Sequence, residues 1–171
     1  MYTGIKFILT LMACTAMCTT TGAGSKRPVD VWGYYHFDGV AFKSGPAVDG
    51  SAFIAVRERA QPVVLLNQPP NVEPIALPED SGVIAGICYI QTSGGKLVDS
   101  GGYLPCARVP LLISSGGKPL VTVQTDEHGY FLAVLASGKY TIGSGPFTAE
   151  ISVDRGITSL VPLRAGKRMV D

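Results

Sequence analysis

From Ser81 onward the chain is cut into short apolar runs by turn residues at near-regular spacing, and this rhythm restricts the folds open to it. Ala107, Val109, Leu111 and Ile113 alternate with Arg108, Pro110, Leu112 and Ser114, the period of a strand with one buried face. Ser115-Gly116-Gly117-Lys118, Asp126-Glu127-His128-Gly129 and Ser137-Gly138 are turn signals. Residues 82–90, 107–114, 120–125, 130–134, 139–142, 148–153 and 158–163 read as seven short strands. Windows rich in Leu, Ala, Glu and Lys are missing, so helices are not expected. The expected fold class is all-β, an antiparallel seven-stranded Ig-like sandwich.

Upstream the rhythm is looser. Residues 29–37 are dense in aromatic and β-branched side chains, as strands are. Residues 52–56 and 63–66 read as two more strands, with Pro62 between them starting a strand or occupying an edge. Pro69, Pro70, Pro74 and Pro78 then exclude a helix or a central strand. The expected organisation is an N-terminal β-rich extension over 24–68, a Pro-rich connector over 69–80, the sandwich over 81–165 and a tail over 166–171.

Residues 1–23 have the order of a secretory signal: one charge at Lys6, an apolar run from Phe7 to Cys18, then small residues. The run falls short of the ~20 residues a membrane-spanning helix needs. Cleavage after Ala23 would leave a chain starting at Gly24. Alternatively, Leu11-Met12-Ala13-Cys14 matches the lipobox pattern, with Cys14 as the lipidated residue and the only membrane attachment. The expected location is periplasmic or extracellular.

With Lys6 set aside, 13 basic residues face 13 acidic ones, and no basic patch argues for nucleic acid. Beyond the signal the cysteines are Cys88 and Cys106. In an oxidising compartment such a pair reads as one disulfide; two buried free thiols are the alternative. Together with His36 and His128 they show no metal-ligand spacing.

The stretch Thr125-Asp126-Glu127-His128-Gly129-Tyr130-Phe131, followed by Leu135-Ala136-Ser137-Gly138-Lys139-Tyr140, resembles the signature of the carboxypeptidase regulatory-like domains. These are related to transthyretin-like and collagen-adhesin B-type sandwiches, and the resemblance covers roughly the C-terminal half. It implies a prealbumin-like sandwich opened by Gly82-Val83-Ile84-Ala85-Gly86, and an accessory module rather than a catalyst. Thr125, Asp126, Gly129, Phe131, Gly138 and Tyr140 then form a structural hairpin signature. Asp126 would bond backbone amides two residues on, and Gly129 would supply positive φ. The chain departs from its relatives' chemistry. The C-terminal Tyr-Arg-Gly-Ser of the purine-pathway hydrolase is missing, and Asn67 and Asn71 lie upstream of where an adhesin-type Lys–Asn cross-link would form.

No catalytic residue, metal site or cofactor is expected. Asp126, Glu127 and His128 are neighbours on a turn and aim in different directions. No Gly-x-Ser-x-Gly elbow accompanies the plentiful Ser and Asp. Trp32, Tyr34 and Tyr35 remain as a possible binding surface, either for a glycan or for an envelope protein; alternate burial in a core is the competing reading. The functional expectation is a non-catalytic exported protein with a structural or protein-binding sandwich. A carbohydrate-binding module is the alternative, and a hydrolase comes third.

Overall fold

The computed structural model describes residues 32–45, 52–57, 63–65, 76–94 and 102–170. The signal-like segment, Cys14 and most of the Pro-rich connector lie outside them. The described residues are all-β, with twelve strands and no helix.

The strands form three layers. The first is a sheet of β1 (Gly33–Phe37), β2 (Phe42–Ser44), β3 (Phe53–Val56) and β4 (Val63–Leu65), in the order β2-β1-β3-β4. The second is built on β5 (Ser81–Gly94), flanked by β12 (Thr158–Val170) on one side. On its other side β5 pairs first with β9 (Tyr130–Ala136), then with β6 (Gly102–Pro105). The third is β11 (Phe147–Val153), β10 (Gly138–Ser144), β7 (Pro110–Ser115) and β8 (Lys118–Gln124), in that order.

β5 is the keel of the molecule. Every residue from Ser81 to Tyr89 is buried, because layers cover both of its faces. That explains its near-continuous apolar run, where a half-exposed strand would alternate. Ile84 and Cys88 face the sandwich core, with Leu111, Ile113, Phe131, Leu135, Tyr140, Ile142, Val153, Val161 and Leu163. Ala85, Ile87 and Tyr89 face the N-terminal sheet, meeting Phe37, Ile54 and Val56. Gly86 permits this density: a Cβ there would lie 2.1 Å from Val161 O and 2.6 Å from the Phe131 ring. The N-terminal strands are therefore a third layer on the sandwich, not extra strands within its sheets.

Four expectations need correction. Residues 81–170 hold eight described strands, not seven, because β6 pairs back on a β5 that runs to Gly94. β12 lies parallel to β5 in an otherwise antiparallel fold; the chain crosses from β11 in the third layer to reach it. β12 also continues to Val170 through the stretch read as a tail. Residues 107–108 form a turn, with Arg108 at φ 56°, so β7 begins at Pro110.

Candidate functional site

The signature residues converge on a clasp. Asp126 Oδ1 accepts the backbone N–H of His128 and of Tyr130, each at 2.8 Å. Asp126 N–H donates to Tyr130 O at 2.8 Å and Gly129 N–H to Asp126 O at 3.2 Å. Gly129 has φ +80°, and a Cβ on it would sit 2.6 Å from Cys88 O and 3.1 Å from Cys106 N. Thr125, almost wholly buried, donates its hydroxyl to Cys106 O at 2.6 Å and accepts Val109 N–H at 2.8 Å. The Asp and Gly roles match the expectation, but the hairpin does not form. β8 pairs with β7 and β9 with β5, so the turn carries the chain from one sheet to the other. Phe131 and Tyr140 are core residues, and the Tyr140 hydroxyl donates to Ala136 O at 2.8 Å across the Ser137-Gly138 crossover.

The clasp closes over Cys88 and Cys106. The β5–β6 register, extended one residue past Tyr89↔Pro105, places them opposite each other, and Cys106 N–H donates to Cys88 O at 2.9 Å. Cys88 N–H donates to Gly129 O at 2.8 Å, so the pair marks the point where β5 changes partner from β9 to β6. The expected disulfide is present here as two free, buried thiols. Burial, reinforced by the neighbouring Cys106, pushes the Cys88 thiol far above its ordinary range. A thiol held protonated in this way is not poised as a nucleophile.

The three aromatics read as one surface are divided by strand alternation. Tyr35 faces the second layer beside Phe37. Trp32 and Tyr34 face the other way and are half-buried on Phe53 and Ala55, with the Tyr34 and Phe53 rings edge-to-face at 5.7 Å. They present no common stacking platform. A different set of aromatics forms the seam between layers. Phe37 lies 4.6 Å from Tyr89 and 4.9 Å from Tyr103, ring centre to ring centre. Beside them the buried Tyr130 hydroxyl donates to Ala52 O at 3.0 Å. Burial drives the Tyr130 phenol well above its ordinary range.

Of the two histidines, His36 has a local duty. His36 Nδ1 lies 3.0 Å from Gly45 O, and His128 is exposed on the clasp turn. Glu127 pairs with Arg108 on the surface, where such a pair contributes little. Among the described residues no three His, Cys, Asp or Glu side chains are grouped to hold a metal. A concavity of about 390 Å³ is lined by Leu77, Pro78, Glu79, Ser81, Arg155 and Gly156. Another, of about 410 Å³, includes Gly117, Lys139, Thr141, Glu150 and Ser152. Neither contains a histidine.

β8 is exposed along almost its whole length. Leu120 is 58 % exposed, Val121 40 %, and Leu112 on adjoining β7 45 %. Leu120 bulges where the β7 register shifts after Ile113. The other long sheet edges carry interruptions: Glu150 on β11, and Pro162, Arg164, Lys167 and Arg168 on β12. β8 has Lys118 and Pro119 at its turn end, and then no charge from Leu120 to Gln124. Proline and charge are the usual guards of an edge, and this edge has them at one end only.

No family model matches the chain, and no curated protein matches it. A solved structure that does is GBS52, the minor pilin of the gram-positive pathogen Streptococcus agalactiae. It is 12% identical over 76% of this chain and 66% of its own, with a TM-score of 0.38. At that score the likeness assigns no function.

Proposed function

We propose that this chain is a non-catalytic, exported envelope or surface protein whose β-sandwich serves structural, protein-binding work. The observation that carries this reading is the open β8 edge. Among the described strands β8 pairs with β7 alone, so its outer edge, beside Leu120, Val121 and Leu112, is offered to an extended segment of another envelope protein, by strand addition. The signature residues support it from the other side: Thr125, Asp126 and Gly129 are engaged in backbone bonds and close approach, leaving none of them free for chemistry. On this reading residues 81–170 are a carboxypeptidase regulatory-like module, and residues 1–23 direct export.

Export is tested by fractionating the native host and weighing the protein's N-terminus. Either a chain starting at Gly24 or an acylated Cys14 supports the reading, the second adding a lipid anchor. A chain retaining Met1 in the cytoplasm contradicts it.

A further inference from the structure

We propose that Cys88 and Cys106 are a disulfide-forming pair, and that their bond fastens the N-terminal layer to the sandwich. The geometry is that of opposed residues on adjacent antiparallel chains, with both side chains turned into one core and their backbones hydrogen-bonded. The consequence for the N-terminal layer follows from β6. This four-residue strand is mostly exposed and pairs only with β5 among the described strands. Yet its Tyr103 packs on Phe37 at 4.9 Å and on Tyr89 at 6.1 Å, so β6 supplies part of the floor on which β1 rests. A covalent link at Cys106, the residue after β6, holds that floor in place.

The chemistry needs an oxidant, and a small-molecule or protein disulfide of the export compartment supplies it. One cysteine thiolate attacks that disulfide, releasing one thiol and forming a mixed disulfide. The second cysteine then attacks the mixed disulfide at the protein's sulfur and releases the other thiol. Two protein thiols and one disulfide become one protein disulfide and two free thiols. Because both sulfurs are buried, the exchange belongs to the folding chain, before the clasp closes.

The oxidant in the cell rests on the export reading, but the test does not. The full chain, purified reduced from a cytosolic host and unfolded, is refolded with oxidised glutathione, then alkylated in denaturant and mapped as peptides. A peptide pair joined through Cys88 and Cys106 is expected; alkylated Cys88 and Cys106 would overturn the proposal. The chain has a single tryptophan, Trp32, placed in the N-terminal layer. Its fluorescence reports that layer, and far-UV circular dichroism reports the whole. In the oxidised protein the two melting curves should coincide. Reduction should lower the Trp32 transition by roughly 10 °C, the scale for losing one such cross-link in a chain of this size. A Cys88→Ala/Cys106→Ala variant should melt like the reduced protein with or without glutathione. A Trp32 transition indifferent to reduction would remove the fastening role even where the bond forms.

Discussion

Gly129 and Thr125 show how little of a signature need be chemical. Gly129 lies at φ +80° with Cys88 O where a Cβ would go. The backbone alone makes Gly129→Ala cost about 1–2 kcal/mol, and displacement of β5 adds to it; a urea titration should show the midpoint fall. Thr125→Val keeps the shape but strands Val109 N–H and Cys106 O in the interior. It should lose about 1–3 kcal/mol, while Thr125→Ser should recover most of that. The Asp and Gly roles were legible in the sequence because each is a local bond or a local φ. The inter-sheet crossover was not, because turn residues do not say which strands their flanks will pair with. Cys88 and Tyr130, with the part-buried Tyr103, set an alkaline pH dependence. The folded-state pKa values of Cys88 and Tyr130 are raised above ordinary values of 9.0 and 10.0. Their contribution is therefore complete below pH 9 and lost as pH rises, since the unfolded chain ionises first. Denaturation midpoints should be flat from neutral pH to about pH 9 and fall above it. Oxidation should delay the fall toward pH 10, because a disulfide removes the thiol but not Tyr130.

Element by element, the strands that alternate or sit between strong turns were readable, and the errors have physical causes. The far end of β5 is hidden in the sequence because residues 91–94 are polar and end in a glycine, and pairing with β6 and β12 keeps them extended. β2 was missed because a three-residue strand carries no period. Asp38 creates it: its Oδ1 accepts Val40 and Ala41 N–H at 2.9 and 2.8 Å, closing the turn that returns Phe42 to Phe37. Those bonds hold the Asp38 carboxyl below its ordinary range. The edge status of β8 was invisible, since its residues would suit a central strand equally well and position in a sheet is set by topology. Because β8 packs little, Val121→Lys should change stability by no more than about 0.5 kcal/mol, measured by urea denaturation. A larger loss would mean that Val121 belongs to the core.

At the scale of the whole molecule, two cores share one strand. Even-numbered β5 residues serve the sandwich and odd-numbered ones the N-terminal layer, so the layers should unfold together whenever their seam is intact. Tyr130 ties them, through its ring in the seam and its hydroxyl on Ala52 O. Tyr130→Phe should cost about 1 kcal/mol and shift the Trp32 fluorescence transition before it shifts the circular dichroism. This coupling could not be read from the chain, where the two halves are separated by a Pro-rich stretch and share no pattern. The claim on which the functional reading turns is that β8 is a docking edge. A photo-crosslinking residue placed at position 121 in cells, with a second at Glu150 on the opposite edge of the same sheet, tests it directly. An adduct of one discrete mass from position 121, and none from 150, is the predicted result. No adduct from 121, or the same adducts from both edges, would contradict it.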